Sequence, residues 1–121
     1  MTVVDAPVDT TRPGSVRRII TAIPGPRSIE LAARRAAALP AGLASSSAVY
    51  AERAGDGVLV DVDGNSFIDL GSGIAVTSVG NSAPRVVERA VAQLSRFTHT
   101  CFMVNGYESY LEVCETLNRL T

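Results

Sequence analysis

Val58-Leu59-Val60-Asp61-Val62-Asp63-Gly64-Asn65-Ser66-Phe67-Ile68-Asp69-Leu70 is the passage on which the fold turns. Its first half, Val58 to Val62, is β-branched and alternating, as a strand pleat prefers. Asp63-Gly64 is a strong hairpin signal, because glycine enters left-handed turn conformations at no steric cost. Phe67 to Leu70 then supplies a return strand. An isolated two-stranded hairpin is marginal in water, so this one requires packing partners from the rest of the chain.

Downstream, the glycine-bearing loop Gly71-Ser72-Gly73-Ile74-Ala75-Val76 runs on to Gly80. Pro84 suits the first turn of a helix, where its missing N–H costs nothing. The spacing predicts that this helix buries Val86, Val87, Ala90, Val91 and Leu94 and exposes Arg85, Glu88, Arg89 and Arg96. After residues 97–106, a last helix carries Tyr107, Tyr110, Leu111, Cys114 and Leu117 on one face. Glu108, Glu112, Glu115 and Arg119 line the other face. No glycine or proline precedes the end at Thr121, so the architecture is expected to continue beyond it.

Upstream, residues 1–14 read as a loosely held lead-in rich in Pro, Thr and Asp. Ser15 is a candidate cap for a helix whose stripe is Val16, Ile19, Ile20 and Ile23. Pro24-Gly25-Pro26 ends it. Ser28 is a candidate cap for a second helix over 29–39, with Arg34 and Arg35 outward and Pro40 and Gly42 closing it. This piece is therefore expected to be α+β, helices around one β-hairpin, within a larger fold.

With 121 residues, the chain has the length of one ordinary domain and not of two. Its formal net charge of −1 gives no field to steer it toward nucleic acid or anionic lipid. Aromatic content of 5% argues against a base-stacking platform. No apolar run approaches the roughly 20 residues that span a bilayer, and no basic-then-apolar leader opens the chain. The expectations are no nucleic acid, no membrane and a cytoplasmic location. Cys101 and Cys114 do not make a secreted disulfide framework. The mean hydropathy of +0.21 is slightly apolar for a small monomer and hints at surface that expects a partner.

Taken from pattern alone, no residue set makes an active site. Gly71, Gly73 and Gly80 fit neither the dinucleotide pattern, since Val76 stands where its third glycine would, nor the phosphate loop, which also needs a lysine. They are read as backbone freedom rather than ligand contact. His99, Cys101 and Cys114 match no common zinc spacing and show no fourth ligand, so no metal is assigned. A Cys–His nucleophile pair lacks an orienting third group. Glu108, Glu112 and Glu115 read as a solvated helix face. One absence is firm: all 11 Lys+Arg are arginine. A guanidinium stays protonated and cannot condense with a carbonyl.

The residues from Gly57 onward nonetheless resemble the amino-terminal region of class III (fold type I) pyridoxal-phosphate aminotransferases. The likeness runs through Val60-Asp61-Val62-Asp63-Gly64-Asn65, Phe67-Ile68-Asp69-Leu70 and Gly71-Ser72-Gly73-Ile74-Ala75-Val76. More specific is Phe97-Thr98-His99-Thr100-Cys101-Phe102-Met103-Val104, followed by Tyr107-Glu108 and Tyr110. That string is similar to the bacterial, in particular actinobacterial, 4-aminobutyrate branch. Ile23-Pro24-Gly25-Pro26 and Arg34-Arg35 extend the likeness upstream.

The resemblance implies an α/β fold for the intact enzyme and pyridoxal 5'-phosphate as its cofactor. It also implies transfer of the amino group of 4-aminobutyrate to 2-oxoglutarate, in a homodimer or higher homo-oligomer. Residues 15–104 would belong to the small domain and the crossover, and 105–121 would start the large domain. Ile74 and Met103 would line the substrate pocket, Met103 standing where some relatives place a glutamine. A thioether lacks the hydrogen bonds of an amide, so contact at Met103 would be apolar packing. Gly80-Asn81-Ser82-Ala83-Pro84 departs from the family's G-H-x-H-P by losing both histidines.

The family's phosphate-binding stretch, carboxylate-binding arginine, pyridine-nitrogen aspartate and Schiff-base lysine are all expected beyond Thr121. No catalytic and no cofactor-binding residue is therefore assigned here, and the piece is expected to be inactive alone. With faces meant for its partners exposed, it is also expected to be of marginal stability. An ornithine-type or other omega-amino-acid aminotransferase, and a non-catalytic module that binds an aminotransferase subunit, are the alternatives.

Overall fold

The computed structural model describes residues 16–121. The lead-in expected over 1–14 and the cap expected at Ser15 lie outside the described residues. The chain divides into two compact units, one running through Ala83 and the other Pro84–Thr121.

The first unit is built on a three-stranded antiparallel sheet in the order β1-β2-β3. Strands β2 (Val58–Asp61) and β3 (Ser66–Ile68) are the expected hairpin, with Val58 opposite Ile68 and Val60 opposite Ser66. The turn between them is longer than Asp63-Gly64 alone. Asp61 N–H donates to Asn65 O at 2.9 Å, and Gly64 sits at φ 83°. That arrangement is a three-residue connection closed by a left-handed glycine. Strand β1 (Ala51–Gly55) pairs along the other edge of β2, with a bulge between Ala51 and Arg53. The expected single hairpin is thus corrected to three strands. Ala-Glu-Arg-Ala-Gly carries no β-branched or aromatic residue, and β1 forms because β2 offers an unpaired edge.

The helix expected over 15–23 is not there among the described residues. Val16 onward runs extended beside β3, where Arg18 and Ser66 exchange backbone hydrogen bonds at 3.0 and 2.7 Å. The apolar spacing imitated a helix. However, Val16, Ile19, Ile20 and Ile23 are β-branched and lose little in an extended chain, and partners outside the segment take its N–H groups. Helix α1 (Pro26–Ala38) begins three residues earlier than the Ile29 start that a Ser28 cap would give, with Pro26 at the first turn and Gly25 as its N-cap residue. Pro24-Gly25-Pro26 therefore opens a helix rather than ending one.

The only described hydrophobic side chains that are buried are Val58 and Val60. Beside them lie three fully buried polar residues: Ser28, Asp61 and Asn65. A buried polar group must be hydrogen-bonded or it destabilises the fold, and here each is. Asn65 Oδ1 accepts from Ile20 N at 2.8 Å and Thr21 N at 3.0 Å. Asn65 Nδ2 donates to Thr21 Oγ1 at 2.8 Å and to Asp61 Oδ2 at 2.9 Å. Asp61 Oδ1 in turn accepts from Asp63 N and Asn65 N.

Asp63 supplies the cap that α1 lacks locally. Its Oδ1 accepts from Arg27 N at 2.7 Å. Its Oδ2 accepts from Ser28 N at 2.9 Å and Ser28 Oγ at 2.6 Å. A carboxylate against the first-turn N–H groups satisfies orphan donors and complements the helix dipole. Gly25 makes room for it, since a Cβ there would lie 2.3 Å from Asp63 Cγ.

The second unit contains α3 (Pro84–Leu94) and α4 (Glu108–Leu120). Both helices form where the sequence placed them. The burial expected of α3 does not occur: Val86, Val87, Val91 and Leu94 are exposed, and neither helix contains a buried residue. Phe97, Phe102, Tyr107 and Tyr110 make an aromatic cluster, edge-on except for the tilted Phe102–Tyr110 pair. Phe102 lies 4.3 Å from the Tyr110 ring and 5.4 Å from that of Tyr107. Such pairs contribute about 0.5–1.5 kcal/mol each beyond area burial, and they fold the 97–106 segment onto the start of α4.

Candidate functional site

Ile74 belongs to the first unit and stands in α2 (Ser72–Ala75), a single turn that follows β3. Its approach is set by Asp69. The Asp69 Oδ1 accepts from Gly71 N at 3.0 Å and Ser72 N at 2.8 Å, and Asp69 N donates to Gly57 O. From there the backbone turns the unusual way. Ser72, Gly73, Ile74 and Ala75 have φ of 47°, 61°, 63° and 61°. Only glycine adopts this region freely, and each L-residue there costs roughly 1–2 kcal/mol, most for a β-branched side chain. The turn holds itself by Ile74 N and Ala75 N donating to Gly71 O, and by Val76 N and Thr77 N donating to Ser72 O.

On this turn the Ile74 side chain is 95% accessible. The reading of the glycines as backbone freedom applies to Gly73 and Gly80, both at positive φ. Gly71 has an ordinary right-handed conformation. Gly80 also closes against the strand end, since a Cβ there would lie 2.9 Å from Asp56 Cα, and Asp56 and Asn81 pair through reciprocal backbone bonds. The left-handed run itself was missed from sequence. Glycine at 73 was the one signal for it, and Ser72, Ile74 and Ala75 argue against it.

Met103 belongs to the second unit. It sits in a tight turn where Val104 N and Asn105 N both donate to Cys101 O at 2.9 Å. Phe102 is drawn into the aromatic cluster, and the next side chain, Met103, points outward at 93% accessibility. Each of the two residues is thus presented by structure of its own unit: Ile74 by a carboxylate-anchored turn, Met103 by clamped rings.

The other sequence candidates are exposed except Cys114, which is half-buried. Glu108, Glu112 and Glu115 are exposed along α4. Cys101 and Cys114 are free thiols. Among the described residues no three His, Cys, Asp or Glu side chains converge to hold a metal, and no helix is long and apolar enough to cross a membrane.

One carboxyl is electrostatically distinctive. Partial burial pushes the Asp63 carboxyl upward, but the Ser28 hydroxyl, the Arg27 and Ser28 N–H groups and the Arg27 charge outweigh it. The net result lies below the ordinary aspartate value. Asp63 is occupied with capping, so this shift marks a structural carboxylate and not an acid–base group.

Residues 42–121 match the family model described as aminotransferase class-III. Over 105 residues the chain is 57% identical to a 4-aminobutyrate aminotransferase of Mycobacterium tuberculosis, a match covering 87% of this chain and 23% of the relative. It is 42% identical over 90 residues to the 4-aminobutyrate aminotransferase GabT of Escherichia coli, covering 74% and 21%. It is 40% identical over 87 residues to the 5-aminovalerate aminotransferase DavT of Pseudomonas putida, covering 72% and 20%. The chain thus spans less than a quarter of the length of these relatives.

Proposed function

Because the chain belongs to the class-III aminotransferase family, we propose that it supplies the amino-terminal part of a 4-aminobutyrate–2-oxoglutarate aminotransferase. The carrying observation is the identity of 57% to a 4-aminobutyrate aminotransferase over 87% of this chain. 5-Aminovalerate remains the competing reading within the class, since a chain one methylene longer is discriminated by only about 1–3 kcal/mol in an apolar pocket.

In this reading Ile74 and Met103 form apolar parts of the substrate wall. Both side chains are held out at high exposure, and neither offers a hydrogen bond, so they would pack against the methylene chain of the substrate and exclude water. Residues 15–104 belong to the small domain and the crossover, and 105–121 begin the large domain. The intact protein is a homo-oligomer in which such exposed faces as that of α3 are covered.

The cofactor of the family is pyridoxal phosphate, which supplies an electron sink for amino transfer. The residues present do not fit its anchoring. A Schiff base requires a primary amine, and these 121 residues contain no lysine. No step is therefore assigned to side chains of this piece, and it is inactive by itself.

Two measurements test the reading. Borohydride reduction of the chain with pyridoxal phosphate is expected to leave no stoichiometric adduct except at the amino terminus. An adduct elsewhere overturns the anchoring argument. The coding DNA read past the Thr121 codon, expressed as one product, is expected to show higher kcat/KM for 4-aminobutyrate than for 5-aminovalerate. The reverse order refutes the substrate assignment.

A further inference from the structure

The turn that presents Met103 also carries Asn105-Gly106. Of Asn65, Asn81, Asn105 and Asn118, only Asn105 is followed by glycine. Both residues are exposed. The Asn105 N–H is engaged by Cys101 O. Among the described residues neither the Asn105 side-chain amide nor the Gly106 N–H has a hydrogen-bond partner.

We propose that Asn105 is a site of spontaneous deamidation, with the Gly106 nitrogen as nucleophile and water as co-reactant. The Gly106 amide gives its proton to solvent base and attacks Asn105 Cγ. The N–Cγ bond forms, the Cγ–Nδ2 bond breaks, and Nδ2 leaves as ammonia. Water then opens the cyclic imide. Cleavage of the new N–Cγ bond gives aspartate, and cleavage of the original backbone C–N bond gives isoaspartate. The balance is asparagine plus water to acid plus ammonia, with no oxidant or reductant. Glycine suits the step because no Cβ shields its nitrogen and its backbone reaches the conformations that bring nitrogen to Cγ.

The same fold shows what blocks this chemistry. The amide of Asn65 is buried and engaged at both Oδ1 and Nδ2. In Asp63-Gly64 the carboxylate is held by Arg27 and Ser28, and the glycine N–H donates to Asp61 O. Neither side chain is free to cyclise.

The product adds one negative charge to a chain of formal net charge −1, two residues from Met103. If Met103 lines a pocket for dicarboxylate and amino-acid substrates, which rests on the function proposed above, that charge opposes their binding. The modification itself does not depend on that reading.

The test is peptide mass mapping of the 121-residue chain during incubation in mildly alkaline buffer. The peptide holding Asn105 is expected to gain about 1 Da first, as a mixture of aspartate and isoaspartate, while Asn65 stays intact. Gly106→Ala is the matched variant. Its Cβ would meet Phe102 at 3.6 Å, an ordinary contact, and it should slow conversion several-fold. Conversion at Asn105 no faster than at Asn65 or Asn118 overturns the proposal. So does an inert Asn105 in the chain when a free 101–110 peptide deamidates. The readout is a mass, so failure here is separate from failure of the aminotransferase assignment.

Discussion

Replacing Asn65 with alanine removes a side chain that is fully buried and bonded at both ends. Four hydrogen bonds go: two from the backbone of Ile20 and Thr21, one to the Thr21 hydroxyl and one to the Asp61 carboxylate. The three neutral bonds contribute about 1 kcal/mol each, and the bond to the carboxylate about 1.5–3 kcal/mol, because Asp61 is left partly unpaired. The expected loss is about 4–6 kcal/mol, a large share of the roughly 5–15 kcal/mol that folded domains hold. Urea unfolding followed by circular dichroism reads the total. Amide exchange at Ile20 and Thr21 reads the local part and should accelerate in step with it. Asn65→Asp keeps the shape but sets a second carboxylate against Asp61. Its loss should be largest at neutral pH and partly recovered in acid, where a protonated carboxyl donates again. An Asn65→Ala midpoint equal to that of the parent, or unchanged exchange at Ile20 and Thr21, refutes the claim that this amide holds the upstream segment.

Asp63 yields a pH prediction. Its folded pKa lies below the ordinary value near 3.9, so its stabilisation is fully present above that value and disappears as pH falls through the depressed folded pKa. Acid titration of the urea midpoint should show this loss, and Asp63→Asn should flatten it. Gly25→Ala, whose Cβ would collide with the Asp63 carboxyl, should lower the neutral-pH midpoint and flatten the same titration. A steep acid limb retained in both variants would rule Asp63 out as its source. Gly80→Ala combines a positive φ with a Cβ 2.9 Å from Asp56 Cα, and should cost about 2–4 kcal/mol by thermal or chemical unfolding. A neutral effect would show that the Asp56–Asn81 bridge yields easily.

The hairpin was legible because Val58 to Ile68 carries its own turn, and α3 and α4 were legible because their period and Pro84 are local signals. What could not be read depended on distant partners. Ser28 looked like a cap, yet the cap of α1 comes from Asp63, in a loop beyond the next strand pair. The stripe Val16, Ile19, Ile20, Ile23 has helical spacing, and only the acceptors on Ser66 and Asn65 decide that it runs extended. The period of α3 marks the face that favours burial. It carries no information on whether the chain contains what buries it, and Val86, Val91 and Leu94 remain in solvent. Of the candidate site, the positions Ile74 and Met103 came from resemblance. The left-handed backbone beneath Ile74 left no composition trace beyond Gly73.

The bonds of Asp63 and Asn65 also act as a ruler. Asn65 grips Ile20 and Thr21, and Asp63 grips Arg27 and Ser28. Ile20 to Arg27 and Thr21 to Ser28 are each seven positions. Apolar contacts tolerate sliding, whereas paired amides and carboxylates do not. The stretch between the two grips should therefore accept many substitutions and no change of length. One residue inserted after Ala22 would leave either the helix start or the edge segment ungripped, however well its side chain suited the surroundings.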